Sequence, residues 1–174
     1  MAVKLLFIRH GMAENREAFA KTQKPDTLRP LTARGRKKMR KNAVGLSSIV
    51  PSIDILVTSP LVRALETAKI IRKFYPKARG VQLQELTPEC HPQDLLKKLS
   101  QFKNSKVIAL VGHEPHLSKT IDFFLTGAHK GFTDLKKGGV CLLEFRDKLD
   151  KGRGHLVFLI QPAELRKIVL NGDK

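Results

Sequence analysis

Arginine and histidine residues follow apolar segments at three places in the sequence. The first apolar segment leads directly into Arg9, His10 and Gly11. The second leads through "TSPLVR" to Arg63, and a third ends at a glycine followed by His113. Two guanidinium groups and two imidazoles therefore come from three different loops that follow apolar segments. If the fold brings these four groups to one place, they form a candidate active site.

That chemistry is phosphoryl transfer. A guanidinium binds two phosphoryl oxygens at once and remains charged throughout a reaction. A neutral imidazole is a competent nucleophile at phosphorus, and cationic neighbours lower its pKa and keep it neutral. The second imidazole is suited to donating a hydrogen bond to a phosphoryl oxygen. We expect Gly11 to permit a sharp turn where a Cβ would crowd the incoming group.

The two arginines would supply the positive charge for this reaction, so we predict that it needs no metal ion and no other cofactor. Motifs of other hydrolytic chemistries are missing from the sequence, including a glycine-rich Walker loop, a paired-carboxylate metal cluster and a Gly-x-Ser-x-Gly elbow. The adjacent Cys90 and His91 have no second pair at a spacing suited to a metal site.

Apolar and amphipathic segments alternate along the chain and predict an α/β fold. The predicted strands are Val3–Ile8, Ile53–Val57, Val81–Leu83, the apolar part of "KVIALVGHEP", and two late strands in "GGVCLLEFRD" and "GHLVFLIQP". Five helices are predicted. The first is capped by Thr32 and ends near Gly45, and the second has Pro60 in its first turn. The other three are Asp94–Phe102, Leu117–Leu125, which ends near Gly127, and Pro162–Leu170.

This alternation is typical of a largely parallel sheet covered by helices on both faces, here with an antiparallel edge. Ligands bind at the carboxyl ends of the strands in such sheets. We therefore expect Arg9, His10, Arg63 and His113 to converge at one edge. A chain of 174 residues is most simply one domain, which we place over residues 1–174.

Charge is the strongest feature of the composition, with 33 Lys and Arg against 16 Asp and Glu, a net charge of +17. Such a field attracts anions, and an acidic protein is a possible partner. The basic stretch "ARGRKKMRK" is interpreted mainly as the solvated face of a helix. Aromatic residues for base stacking are scarce, which disfavours nucleic acid as a partner.

The remaining compositional features predict a cytoplasmic protein without a membrane partner. No apolar run approaches the roughly 20 residues of a membrane helix, and no signal-peptide pattern is found at the N-terminus. Cys90 and Cys141 are interpreted as free packing residues. His116, His129 and His155 are interpreted as surface or helix-terminal residues.

Four motifs resemble, in their order, the signature of the histidine phosphatase superfamily: "FIRHG", "LTARG", "VTSPLVRALETA" and "LVGHEP". The resemblance implies a phosphoglycerate-mutase-like, three-layer α/β/α sandwich with a mostly parallel central sheet. It implies that His10 is transiently phosphorylated and that Arg9, Arg63 and His113 bind the phosphate. By position, Glu85 corresponds to the general acid of many members, with Glu89 and Glu114 as lesser candidates.

Within the superfamily the chain most resembles the SixA-type phosphohistidine phosphatases. The supporting features are its small size, "QELTPECHP", "GHEPHLS" and "LKKGGVCLLEF". The long insertion of the phosphoglycerate mutases is missing, and Met12-Ala13 stand where those enzymes have Glu-Ser. Asn15 lies one residue away from the family's phosphate-contacting asparagine, so that role is not transferred to it.

The resemblance implies a metal-independent phosphohydrolase that removes phosphate from phosphohistidine on a signalling or phosphocarrier protein. A phosphorylated imidazole leaves readily once its ring is protonated, so such a substrate tolerates an imprecise general acid. One alternative is a broad-specificity phosphatase of small phosphorylated metabolites. The alternative from another class is a basic binding module without catalysis.

Overall fold

The central element of the computed structural model is a six-stranded sheet with the order β3-β2-β4-β1-β5-β6. The structure describes residues 2–102, 104–129 and 131–168. The strands are β1 (Val3–Arg9), β2 (Ile55–Thr58), β3 (Arg79–Gln82), β4 (Val107–Gly112), β5 (Val140–Phe145) and β6 (His155–Ile160).

Helices connect the strands. They are α1 (Arg16–Ala20), α2 (Ala33–Ile49), α3 (Val62–Arg72), α4 (Pro92–Leu99), α5 (His116–Thr126) and α6 (Pro162–Leu165). Short 3-10 turns occur at Asp26–Leu28, Gln84–Leu86 and Ser100–Phe102. No helix in the described part of the chain is both long enough and apolar enough to span a membrane.

The sheet is mostly parallel, as predicted. Strand β4 lies parallel to both β1 and β2, and β2 lies parallel to β3. Strand β5 runs antiparallel to β1, and β6 runs antiparallel to β5 at the sheet edge. The antiparallel pair comes from the two late strands, which confirms the predicted antiparallel edge.

Helices cover the sheet on both faces, and β1 shows this directly. Leu6 and Ile8 belong to a core with Met39 of α2 and residues of α3. Leu5 and Phe7 belong to a second core with residues of α4 and α5. Successive side chains of a strand point to opposite faces, so an apolar strand of this kind must be buried on both sides. The three-layer α/β/α sandwich is thereby confirmed.

The caps of the helices follow the sequence, whereas several ends do not. Thr32 Oγ1 accepts a hydrogen bond from Gly35 N (2.9 Å), and Gly127 ends α5 in the left-handed region with φ 80°. The predicted end of α2 near Gly45 is wrong, because the helix continues to Ile49. A Cβ on Gly45 would lie 1.9 Å from the carbonyl oxygen of Leu165, so packing against α6 explains this glycine.

Other element bounds differ by smaller amounts. Helix α4 begins at Pro92, two residues earlier than predicted, and ends at Leu99. Residues Ser100–Phe102, which were predicted to end this helix, form a 3-10 turn. Pro60 precedes Leu61, the N-cap of α3, instead of lying within the first turn. Helix α6 ends at Leu165, and the predicted end at Leu170 lies outside the described residues. The short helix α1 was not predicted.

Candidate active site

The carboxyl ends of three neighbouring strands carry the residues singled out in the sequence. His10 N donates to Gly112 O (3.1 Å), and Ser59 N donates to Val111 O (3.0 Å), so the ends of β1, β4 and β2 lie side by side. A cavity of about 1310 Å³ opens at this edge, and Arg9, His10 and Arg63 all line it. The predicted convergence of these three residues is therefore observed.

His10 is held in one tautomer by the backbone carbonyl of the next residue, Gly11. Its Nδ1 lies 2.7 Å from Gly11 O, and since a carbonyl oxygen only accepts hydrogen bonds, Nδ1 carries the proton. The lone pair is then on Nε2. Burial, followed by the positive charges of Arg63, Arg9 and Lys137, lowers the pKa of His10 to about 3, against the opposing Gly11 hydrogen bond. His10 is thus a neutral imidazole with a free nucleophilic nitrogen.

Arg63 is buried at the start of α3 and faces the same cavity. Its Nη1 donates to the backbone oxygen of Asp26 (2.9 Å) and lies 3.1 Å from Asp26 Oδ2. Burial lowers its pKa from a very high ordinary value, and it remains a cation. Its Nε is buried without a hydrogen-bond partner among the described residues, so one face of the guanidinium has an unused donor.

Arg9 is fixed in a similar way at the end of β1. Its Nη1 donates to Leu135 O (2.5 Å), and its Nε is also buried without a partner in the described part of the chain. Two guanidinium groups with an unsatisfied donor each therefore flank His10. Both guanidinium groups line the cavity, where their positive charge favours a bound anion.

His113 packs against His10 and does not itself line the cavity. The ring centroids are 5.0 Å apart with an interplanar angle of 55°. Ser59 Oγ accepts from Leu61 N (3.4 Å) and lies 2.8 Å from His113 Nε2. If the Ser59 hydroxyl donates to Nε2, the proton of His113 is on Nδ1, which is buried without a partner among the described residues. Burial lowers the pKa of His113 to about 2.

Asp26 is a site residue that was not predicted from the sequence. It lines the cavity and lies among three arginines: Arg29 Nε (2.7 Å) and Arg16 Nε (3.6 Å) contact its Oδ1, and Arg63 contacts its Oδ2. The hydrogen bond from Arg29 is the main reason that its pKa is lowered. The spacing of Asp26 and Arg29 in "KPDTLR" was the only available signal, since i,i+3 pairs meet in a helical turn.

Glu85 is not among the residues that line the cavity. It lies in the 3-10 turn before α4, and its Oε1 is 3.6 Å from Lys98 Nζ. The cavity is lined instead by Glu89 and Glu114. Burial raises the pKa of Glu114, although Ser118 donates to its carboxylate through both its amide and its hydroxyl. A carboxyl group that lines the cavity and has a raised pKa is suited to donate a proton.

Gly11 has a different role from the expected one. Its φ is not in the left-handed region, and a Cβ there would lie 2.5 Å from Met39 Cγ of α2. The expectation that a Cβ would crowd the incoming group is thus corrected: the glycine lets α2 pack closely behind the nucleophile. Gly11 N also donates to Thr67 Oγ1 (3.0 Å), which ties the loop to α3.

Of the three further polar residues Asn15, Ser59 and His116, only Asn15 borders the cavity. Asn15 Oδ1 accepts from Ala18 N (2.9 Å) and caps α1, although the residue borders the cavity. Ser59 supports His113 and does not line the cavity. His116 begins α5, as expected of a helix-terminal residue, but its ring is fully buried and neither nitrogen has a partner in the described residues.

The other predictions about histidines and cysteines are resolved as follows. His129 and His155 are exposed, as expected. Cys90 and Cys141 are both free thiols, and Cys141 is buried in β5. Within residues 2–102, 104–129 and 131–168, no three His, Cys, Asp or Glu side chains are grouped closely enough to hold a metal ion.

Comparison with known protein structures finds the same fold in several phosphatases. The protein histidine phosphatase SixA in complex with tungstate has a TM-score of 0.78 at 21% identity, covering 94% of this chain and 99% of SixA. The α-ribazole phosphatase of Shigella flexneri has a TM-score of 0.69 at 16% identity, covering 99% and 100%. A phosphoserine phosphatase variant of Entamoeba histolytica has 0.66 at 19%, covering 92% and 98%.

Sequence comparison gives the family. An uncharacterized protein of Picosynechococcus sp. (strain ATCC 27264 / PCC 7002 / PR-6) is 32% identical over 144 residues, which are 79% of this chain and 82% of that protein. The family model of the histidine phosphatase superfamily (branch 1) matches residues 5–91, a region with the first three of the four motifs. On the cavity geometry and this match together, the chain belongs to the histidine phosphatase superfamily.

Proposed function

We propose that this phosphatase hydrolyses phosphohistidine on a protein through a phosphorylated His10. The observation that carries the proposal is the neutral His10 ring, with its lone pair on Nε2, in a cavity that also contains Arg9 and Arg63. This combination supplies a nucleophile for phosphorus and two cations for the phosphoryl oxygens.

In the first step, His10 Nε2 attacks phosphorus and the P–N bond to the substrate imidazole breaks. Arg9 and Arg63 both line the cavity and hold the equatorial oxygens with their guanidinium groups. His113 packs against the His10 ring and does not line the cavity, so its contact with the phosphate stays a prediction. The proton stays on His10 Nδ1, and its hydrogen bond to Gly11 O stabilises the positive ring that forms on phosphorylation.

In the second step, water attacks phosphorus and the P–Nε2 bond breaks, which returns neutral His10 and releases inorganic phosphate.

The departing substrate imidazole takes up a proton in the first step, and Glu114 is the carboxyl group whose raised pKa suits it to donate that proton. The part predicted for Glu85 stays a prediction, and the ion pair with Lys98 argues for a structural contribution instead.

Two features support a protein-borne phosphohistidine over a small phosphate ester. The cavity of about 1310 Å³ exceeds the roughly 300–1,000 Å³ of most small-molecule sites, so it can admit a segment of another protein. A protonated imidazole is a good leaving group, so the reaction does not depend on a strong acid close to His10. The fold shared with SixA is consistent with this substrate class.

The test is a comparison of turnover on a phosphohistidine protein, a sugar phosphate and an aryl phosphate, with EDTA present. His10→Ala is compared with wild type, and His155→Ala, which removes an exposed histidine from β6, serves as the matched control. We expect the phosphohistidine protein to be the best substrate of wild type and of the control, and His10→Ala to be inactive on all three.

A phosphoenzyme is sought separately by mass spectrometry after an alkaline quench, because phosphohistidine is labile in acid. Higher kcat/KM for the sugar phosphate would favour a metabolite phosphatase. Salt-dependent retention on DNA without turnover, unchanged in His10→Ala, would favour a binding module. Equal activity of His10→Ala and wild type would refute the mechanism.

A further inference from the structure

A second cavity lies beside the catalytic one and is strongly cationic. Its volume is about 300 Å³. Five of the side chains that line it are cationic and none is a carboxylate: Arg9, Lys38, Lys136, Lys137 and Arg166. We call this space the basic cavity. It shares Arg9, Met12 and Lys137 with the catalytic cavity, so the two spaces are adjacent.

The walls of the basic cavity are fixed by buried contacts. Asn42 of α2 is 2% exposed, and it donates through Nδ2 to Gly138 O (3.0 Å) while its Oδ1 accepts from Arg166 Nη1 (3.1 Å). One buried amide thus joins α2, the turn before β5 and the segment after α6. Gly138 N also donates to Arg9 O (3.1 Å), which ties that turn to β1.

Glycines bring these walls close together. Gly138 has φ 84°, and a Cβ there would lie 2.5 Å from Asn42 Nδ2. A Cβ on Gly35 would lie 2.0 Å from Met12 O, so the start of α2 is pressed against the loop after His10. The backbone around the cavity is therefore specified by packing.

The charges of the basic cavity are not neutralised within the protein. In the described ranges, no carboxylate forms an ion pair with Lys38, Lys136 or Arg166, although ten ion pairs are found elsewhere. Grouped cations repel one another, and a bound anion relieves that repulsion. A cluster of this kind, in a concave space, is suited to a ligand with negative charge.

We infer that the basic cavity binds a second anionic group of the substrate, a carboxylate or phosphate, while the phosphoryl group is at His10. This inference rests on the proposed function, because it concerns the same substrate. For a protein substrate, the second group is an acidic side chain next to the phosphohistidine. Lys137 lines both cavities and also acts electrostatically on His10, which places the second anion close to the reacting one.

The experiment uses two matched pairs of substrates. One pair is a phosphohistidine peptide flanked by aspartates and the same peptide flanked by asparagines. The other pair is phosphoserine, which carries a carboxylate, and phosphoethanolamine, which lacks it. The enzymes are wild type, Lys38→Gln/Lys136→Gln, and the control Lys73→Gln/Lys77→Gln, which removes the same charge from exposed positions outside both cavities.

We expect wild type and the control to prefer the aspartate peptide by about 5- to 10-fold in kcat/KM, the size expected for two partly exposed ion pairs. Lys38→Gln/Lys136→Gln should lose this preference and retain the rate on the asparagine peptide. The preference of wild type should also fall with added salt. If only the aspartate peptide is preferred over its partner, the second anion belongs to a protein substrate. If phosphoserine is also preferred over phosphoethanolamine, the basic cavity accepts the anionic group of small molecules as well.

Other outcomes separate this inference from the proposed function. Equal rates of wild type on both peptides, or equal losses in the two double variants, overturn the basic cavity as a subsite and leave the proposed function intact. If neither peptide is hydrolysed but phosphoserine is, the proposed function fails. The comparison of phosphoserine with phosphoethanolamine then tests the basic cavity by itself. The inference is then supported if phosphoserine is preferred only while Lys38 and Lys136 are present, and is overturned otherwise.

Discussion

The protonation state of His10 is the physical basis of the proposed reaction, and it can be measured directly. Burial is the largest cause that lowers its pKa to about 3, and the charges of Arg63, Arg9 and Lys137 add to it. His10 is 6% exposed, so solvent screens these effects weakly. The shift from about 6.5 corresponds to roughly 5 kcal/mol of disfavour for the imidazolium.

The consequence is large at mildly acidic pH. An unperturbed histidine would be about 90% protonated at pH 5.5, whereas His10 should be less than about 1% protonated. We therefore expect the nucleophile to remain available well below neutral pH. Any acid limb of kcat/KM above about pH 5 should belong to the substrate or to a carboxyl group such as Glu114.

The perturbation that tests the cause is Arg63→Gln. It removes the largest charge effect on His10 but leaves most of the burial in place, so the pKa should rise by about one unit and stay clearly below 6.5. The assay is a pH titration of the histidine ring resonances by NMR, with the His10 signal assigned by its loss in His10→Gln. Lys73→Gln, remote from the cavity, should leave the titration unchanged.

Two results would refute the reasoning. A midpoint near 6.5 for His10 in the wild-type protein would show that burial does not hold the ring neutral. A return of the midpoint to 6.5 in Arg63→Gln would show that charge, and not burial, is the main cause. Either result would also weaken the argument that a neutral nucleophile is built into the fold.

Two further predictions concern residues outside the catalytic set. Burial lowers the pKa of His116 to about 4, so the unfolded chain takes up the proton first, and folding stability is lost as pH falls from about 6.5 towards 4. At pH 5 this loss is about 2 kcal/mol. The unfolding free energy is measured in urea at pH 7.5 and at pH 5, and in His116→Leu the difference between the two values should be smaller than in wild type by about 2 kcal/mol. An unchanged difference contradicts the assignment. Asp26→Asn removes a negative charge from the cavity wall, while the backbone contact to Arg63 remains. Inorganic phosphate should therefore inhibit this variant about 3- to 10-fold more strongly than wild type in competition assays. Weaker inhibition would show that the carboxylate chiefly positions Arg63.

The residues of the candidate site could be identified from the sequence because their signals are local. A buried parallel strand is a short apolar run, and the residue after it lies at the carboxyl edge of the sheet whatever the rest of the fold does. His10 and Arg63 could therefore be placed near each other without knowledge of any tertiary contact. The helix caps at Thr32 and Gly127 were predictable for the same reason, since each depends on one residue and its own turn.

The features that could not be predicted depend on contacts between distant segments. Asp26 reaches Arg63 across 37 positions, and the packing of Gly11 depends on Met39 of α2. Glu85 corresponds by position to the general acid of many superfamily members, and its ion pair with Lys98 of α4 is a tertiary contact that the sequence does not show. Whether His116 is buried depends on how α5 packs against the sheet, and a histidine at a helix start has no pattern that reveals this.

Nucleophile availability and acid sensitivity have one physical origin in this site. His10 and His113 are kept neutral mainly by burial, and each therefore contributes to loss of stability as the pH falls below about 6.5. A substitution that exposed His10 to solvent would relieve this acid sensitivity but would raise its pKa towards the range in which the ring is protonated. His116 is buried in the same way without lining the cavity. Stability in acid can thus be improved at His116 while the nucleophile is retained, whereas the same gain at His10 would remove the property on which attack at phosphorus depends.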